Sequence, residues 1–242
     1  MKHMINLNGK LNTNMIDEIT NKRIKPNYNI FISRHKENTG FYSTIYFNDI
    51  TDETNFKIVK EKLKKELKKY LLKTSNYLII GIGNKKSNMD SLGPNTLDHI
   101  TATKHLLKYG LEQNYKIVSK FIPDVESATG IDTYKLIKKI INIEKPDQII
   151  LVDSLITNNL ENITKCIQIS NTGVNNQLYK KDLTEKELKV PIILIGIPTI
   201  LETDKENIII TTKDIDIFIK KASLLIGDSI NEIIHSKTSL HP

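Results

Sequence analysis

The sequence predicts an α/β fold: a mostly parallel, doubly wound sheet with helices on both faces, preceded by a small N-terminal β-hairpin and helix. Three observations carry this expectation. From residue 76 onward, short apolar runs alternate with amphipathic segments, the element order that builds a parallel sheet through crossover helices. Runs such as Ile149-Ile150-Leu151-Val152 are apolar without alternation, so both faces of those strands should be covered. Before residue 76, two β-rich stretches and one long amphipathic segment stand apart from that rhythm.

Residues 29–33 and 41–47 are rich in Phe, Tyr and Ile and flank a polar turn containing Gly40, the pattern of a hairpin. Residues 54–72 repeat apolar side chains at helical spacing, with Phe56, Val59, Leu63, Leu67, Tyr70 and Leu71 on one stripe. Strands are then expected over 77–82, 116–121, 148–152, 165–169 and 192–197, with helices over 93–108, 131–143, 182–188 and 213–235. In the last helix Thr211 is the expected cap, and Ile215, Phe218, Ile219, Ala222, Leu225, Ile226, Ile230 and Ile233 are expected in the core. Residues 1–25 are polar and irregular and form an N-terminal segment suited to a propeptide. Residues 26–242 make one domain, with the hairpin and helix in 26–73 and the core sheet in 76–242.

Composition narrows the function classes. Of 242 residues, 39% are hydrophobic and 26% charged, a globular profile rather than a disordered one. No run approaches the ~20 apolar residues that span a bilayer, so no membrane partner is expected. The stretch Met1-Lys2-His3-Met4-Ile5-Asn6-Leu7-Asn8 has no apolar core of a secretory signal. The single cysteine, Cys166, leaves no intramolecular disulfide and no cysteine-clustered zinc site. A cytoplasmic protein is expected. The net charge of +7 comes largely from lysine, crowded over residues 57–69 and interleaved with Glu61 and Glu66; this reads as a solvated helix face. Arginine is scarce and no nucleic-acid motif is present, so direct nucleic-acid binding is not expected.

Ligands of open α/β sheets collect beyond the carboxyl ends of the strands, and three segments arrive there with unusual residues. The first runs Gly81-Ile82-Gly83-Asn84-Lys85-Lys86-Ser87-Asn88-Met89-Asp90-Ser91-Leu92-Gly93-Pro94. A dinucleotide fingerprint would need a third glycine at position 86, and Lys86 stands there. What remains is Asp90, close to a helix start, as a working carboxylate or a helix cap. The second segment is Asp153, directly after four apolar residues. A carboxylate there is costly unless paired, or else it caps a helix starting near Leu155. The third, Ser170-Asn171-Thr172-Gly173, offers hydroxyls and backbone donors to a substrate carbonyl, or simply makes a turn.

Two aspartates at adjacent strand ends can share a proton, one acting as base toward water and the other as acid toward a leaving amine. The same pair could instead hold a divalent metal. The sequence carries no HExxH, serine elbow or Cys-His signature. Cys166 lies within an expected strand and reads as packing. His99 and His105 lie six residues apart on one expected helix and read as surface or supporting residues.

The blocks Ile80-Gly81-Ile82-Gly83-Asn84 and Met89-Asp90-Ser91-Leu92-Gly93-Pro94 resemble the germination protease family of endospore-forming bacteria. The resemblance continues through Thr129-Gly130-Ile131-Asp132-Thr133, Lys145-Pro146-Asp147 and Val152-Asp153-Ser154-Leu155. Ile167-Gln168-Ile169-Ser170-Asn171-Thr172-Gly173, Ile195-Gly196-Ile197-Pro198-Thr199 and Leu240-His241-Pro242 complete it. It implies an endopeptidase that degrades small acid-soluble spore proteins at germination, with Asp90 and Asp153 as the catalytic pair. It further implies a zymogen, a forespore cytoplasmic location and a homotetramer. No cofactor is expected, with a divalent metal left open. Asn84, Ser170, Thr172 and Gly173, within the matched blocks, are assigned to substrate binding.

Three stretches depart from the family pattern. Residues 123–130, usually richer in glycine, contain Asp124 and Ser127. Asn175-Asn176-Gln177-Leu178-Tyr179 replaces a longer glycine-rich basic loop. Asn12-Thr13-Asn14-Met15-Ile16 lacks the charges of the usual Arg-Thr-Asp-Leu-Ala processing segment. Two alternatives therefore stand beside the leading reading: a metal-dependent maturation endopeptidase of hydrogenase-maturation-like fold, and a non-catalytic paralogue that binds spore proteins.

Overall fold

Among the described residues, eight strands, numbered in chain order, form one mixed sheet in the order β1-β2-β6-β7-β5-β3-β4, with β8 added to the far part of β7. In this computed structural model the described residues are 30–37, 40–74, 76–110, 116–174, 182–202 and 209–235. The N-terminal segment 1–25, the processing-segment match at 12–16, the loop 175–179 and the terminal block 240–242 lie outside them.

The hairpin is β1 (Phe31–Glu37) and β2 (Gly40–Tyr46). It does not stand apart, because β2 pairs antiparallel with β6 (Cys166–Ser170). Helix α1 (Glu53–Tyr70) follows, and Asp52 caps it by accepting the Asn55 N–H at 2.8 Å. Strands β3 (Asn76–Gly81), β4 (Ile117–Phe121), β5 (Gln148–Thr157) and β7 (Ile192–Glu202) form the parallel part. The α/β architecture is thus the expected one, and the sheet is mixed because β6 runs antiparallel to β7.

Helices cover both faces. Helix α2 (Leu92–Asp98) and helix α6 (Ile215–Ile234) join α1 on one face, where Leu92, Leu97, Phe218, Ala222 and Ile226 share a core with Ile150, Val152, Ile193 and Ile195. Helices α3 (Glu126–Thr129) and α4 (Thr133–Glu144) precede β5; α4 covers the other face, with Ile137 and Ile141 packed on Leu78, Ile80, Ile149 and Leu151. A short α5 (Glu185–Leu188) leads into β7, and β8 is Ile209–Ile210. The continuous apolar runs of β3, β5 and β7 therefore lie between two helical layers, as such runs require.

Several local expectations change. Thr211 does not cap α6: its hydroxyl donates to the Thr199 carbonyl at 2.7 Å, tying the approach to α6 onto β7. The single helix expected over 93–108 is broken, since α2 ends at Asp98 and a 3₁₀ helix covers Lys104–Tyr109. No helix starts near Leu155, because β5 continues to Thr157. The lysine-rich α1 is tied to α6: Lys60 pairs with Asp228 and Glu232, and Lys64 with Glu232. Among the described residues no helix is long and apolar enough to cross a membrane.

Candidate active site

The parallel strands lie in the order β7-β5-β3-β4. From β3 the chain moves outward to β4, then crosses back over the other face to β5 and on to β7. The direction of winding reverses between β3 and β5, and in open α/β sheets ligands collect outside the carboxyl ends of the strands at such a point. Asp90 follows β3, and Asp153 lies on β5. The two flank the switch point.

Register explains why Asp153 is special. Val152 pairs with Gly81, the last residue of β3, while Asp153 pairs with Gly196 of β7 and has no β3 residue opposite. Asp153 is thus the first residue of β5 beyond the end of β3, paired with β7 alone. It is nevertheless buried, at 2% exposure. Its Oδ1 accepts the Ser154 N–H at 2.8 Å, and its Oδ2 is buried with no hydrogen-bond partner. A buried acceptor without a donor costs about 1–3 kcal/mol. Such a cost is commonly retained at a site with a chemical use for it.

The Asp90 turn is built into the gap that β3 leaves. The Ile82 N–H still donates to Val152, at 2.9 Å, before the chain turns away. Gly93 lets α2 sit directly on the strand ends, since a Cβ there would overlap the backbone of Ile82 and Val152. A 3₁₀ turn over Asn88–Asp90 presents the carboxylate. The Asn84 N–H donates to the Asp90 carbonyl at 2.9 Å and to its Oδ2 at 3.1 Å. Thr199 of β7 fixes the turn from the other side, its hydroxyl donating to the Met89 carbonyl at 2.6 Å. The N-cap of α2 is Ser91, so Asp90 is not that helix's cap.

Electrostatics set the two carboxyls apart from ordinary aspartates. Burial pushes Asp90 up from the usual 3.8 to about 6, against the pull of the Asn84 N–H, and the charge of Asp124 adds to the rise. Burial also raises Asp153, well above the ordinary carboxylate value, and the charge of Asp90 adds to it. Both carboxyls are thus held toward their protonated forms, the condition under which two neighbouring acids share a proton.

Asn84 belongs to the same loop as Asp90. Ser170, Thr172 and Gly173 are not brought there. Because β6 is antiparallel, it is Gln168 that pairs with Gly196, the partner of Asp153, while Ser170 pairs with Leu194, two residues nearer the amino end of β7. The chain after Ser170 leaves by the opposite end of the sheet. There the Ser170 and Thr172 hydroxyls bond each other at 3.0 Å, and Gly173 takes φ +70° against the Leu183 carbonyl. Cys166 is fully buried and its thiol is pushed up to about 12, which leaves it a packing residue.

Sequence reasoning passed over two residues. Thr199 ends one of the matched blocks, but no feature of the sequence assigned it a role. Asp124 carries a signal: it follows Phe121-Ile122-Pro123, the same strand-end position that pointed to Asp153. Among the described residues, no group of three or more His, Cys, Asp or Glu is placed to hold a metal ion.

A family model described as germination protease matches residues 11–205. A germination protease of Caldanaerobacter subterraneus subsp. tengcongensis is 31% identical, over 66% of this chain and 66% of that protein. The Bacillus subtilis germination protease is 37% identical over 54% of this chain and 37% of its own length, and the Clostridium tetani one 34% identical over 67% and 54%. The chain thus spans between about a third and two thirds of these relatives. Among solved structures, a [NiFe] hydrogenase maturation protease, HycI from Thermococcus kodakarensis, matches with a TM-score of 0.42 at 17% identity, covering 70% of this chain and 98% of its own.

Proposed function

The chain belongs to the germination protease family, and we propose that it is an endopeptidase that cleaves small acid-soluble spore proteins with Asp90 and Asp153 as its catalytic pair. One observation carries this reading: Asp153 Oδ2 is buried without a partner beside a second raised carboxyl, at the sheet's switch point. Asp90, whose carboxylate accepts the Asn84 N–H, takes a proton from water as that water attacks the scissile carbonyl. Asp153, the more deeply buried of the two, starts protonated and donates its proton to the departing amine. A proton passing from Asp90 to Asp153 restores the starting state.

Asn84 holds Asp90 through its backbone N–H and sits where a scissile residue would enter. Ser170, Thr172 and Gly173 would meet a substrate chain only far from the bond being cut. Residues 1–25 as an inhibitory propeptide, assembly as a homotetramer and a forespore cytoplasmic location complete the reading, each on family resemblance.

The test is incubation of the purified chain with a small acid-soluble spore protein, beside Asp90→Asn and Asp153→Asn. Fragments from the parent and none from either folded variant are expected. A fully active variant would remove its residue from the mechanism. Binding by the parent without fragments would leave the non-catalytic paralogue.

A further inference from the structure

Strand β7 touches both halves of the candidate site. Its Gly196 pairs with Asp153 of β5, and farther along Thr199 donates its hydroxyl to the carbonyl of Met89, the residue before Asp90, at 2.6 Å. Between the two the ladder changes register: Leu155 pairs with Pro198 and Ile156 with Ile200, so Thr199 has no β5 residue opposite. Thr199 is the extra residue of a β-bulge, a device that interrupts a ladder and re-aims a side chain.

The bulge is secured from outside the β5–β7 ladder. The Thr211 hydroxyl donates to the Thr199 carbonyl at 2.7 Å, and the Thr164 N–H donates to the Pro198 carbonyl at 2.7 Å. Thr199 itself is fully buried. Threonine hydroxyls commonly bond backbone groups nearby in sequence; this one reaches a carbonyl 110 positions away. The Met89 side chain packs against the core that contains Leu92 and Ile226, so the residue before Asp90 is held at its side chain and at its carbonyl.

The other backbone bonds of the Asp90 turn are internal to it. The Asn84 N–H donates to the Asp90 carbonyl, the Ser87 N–H to the Asn84 carbonyl and the Asp90 N–H to the Ser87 carbonyl. These bonds shape the loop but would travel with it. Among the described residues, the Thr199 hydroxyl makes the one hydrogen bond that ties the main chain of residues 84–90 to a strand.

We infer that Thr199 is a positioning residue for Asp90: the bulge in β7 aims its hydroxyl at the Met89 carbonyl and fixes the Asp90 turn relative to Asp153, whose partner Gly196 lies on the same strand. This rests on the proposed role of Asp90 as the base. A reacting group displaced by about an ångström can lose on the order of a hundredfold in rate, and the Thr199 bond opposes that displacement.

The experiment compares Thr199→Val, which keeps the branched shape without the hydroxyl, with Thr199→Ser, which keeps the hydroxyl. On spore protein, kcat should fall roughly tenfold or more in Thr199→Val with KM nearly unchanged, and should recover in Thr199→Ser. Asp90 is also read without activity, from its carboxyl resonance in protein labelled with ¹³C-aspartate, assigned by its loss in Asp90→Asn. Burial is what holds Asp90 up, so a turn released toward water should lower its midpoint by roughly half a pH unit or more in Thr199→Val, and Thr199→Ser should restore it. An unmoved midpoint in folded Thr199→Val overturns the role of Thr199, and so does a shift that serine fails to restore, which would assign the effect to packing. Should Thr199→Val not fold, Thr211→Val decides: it leaves the buried residue in place and frees the bulge carbonyl. The midpoint should fall there too, and an unmoved one overturns the role. A midpoint that moves and is restored in a protein that never cleaves leaves the hold on Asp90 standing and sinks the protease reading.

Discussion

Gly83 and Asp90 touch across the loop that follows β3: a Cβ on Gly83 would overlap the Asp90 carbonyl and lie 3.1 Å from its Oδ1. Gly83 also takes φ +126°, a conformation that side-chain-bearing residues rarely adopt. The absence of a side chain at 83 is thus a condition for the Asp90 carboxylate to sit where it does.

Gly83→Ala should therefore cost both stability and activity. The forced shift falls on Asp90 itself, and displacement of a reacting group by about an ångström can cost on the order of a hundredfold in rate. The variant should unfold about 1–3 kcal/mol more easily. Near-parental kcat in this variant would show that the loop relaxes without moving the carboxylate.

The raised carboxyls make a second prediction, on stability. Burial holds Asp90 up at about 6 rather than 3.8 in the folded chain, and raises Asp153 as well. The folded state therefore binds more protons than the unfolded chain between those values, and stability falls as pH rises through that window. Below about 3.8 there is no penalty, and above the folded values it is fully present. Asp90→Asn and Asp153→Asn mimic the protonated forms and should raise Tm at neutral pH, by a few degrees if the penalty is about 2 kcal/mol. The gain should disappear when the melts are repeated near pH 4. Tm values that fall at neutral pH would show that the carboxylates are stabilised by partners.

A third prediction concerns the hairpin. Glu66 of α1 is 1% exposed, accepts both Arg34 of β1, at 2.5 and 2.8 Å, and Lys69, at 2.8 Å, and is bonded by the Ser43 hydroxyl at 3.2 Å. Arg34 and Lys69, through these bonds, draw its carboxyl down to about 2 against the opposing effect of burial. Its contribution is present above the ordinary carboxylate value and lost as pH falls toward 2. Glu66→Ala removes the acceptor from several donors at once and should destabilise by roughly 3 kcal/mol in urea at pH 7. A loss under about 0.5 kcal/mol would place this network with ordinary surface pairs.

Much of the fold was legible along the chain. Apolar runs without alternation marked β3, β5 and β7 as strands covered on both faces, and helical stripes marked α1, α4 and α6, because burial imposes its period on local sequence. The position of Asp153 was legible for the same reason: a carboxylate placed hard against an apolar run stands out as a cost. Asp90 was legible differently, as an aspartate in the loop between a strand and a helix start.

The tertiary structure decided what depends on pairing between distant segments. The antiparallel course of β6 is set by its neighbours β2 and β7, and nothing in Cys166–Ser170 states a direction. That one choice carries Ser170, Thr172 and Gly173 away from the aspartates. The reach of β5 to Thr157 follows from the length of β7 beside it, and it turns Asp153 from a helix cap into a buried strand residue. The order β4-β3-β5 sets the segment that leaves β4 next to the one that leaves β3. Strand order and direction are fixed by long-range hydrogen bonding and by the packing of whole layers, and a side chain's charge environment is inherited from both.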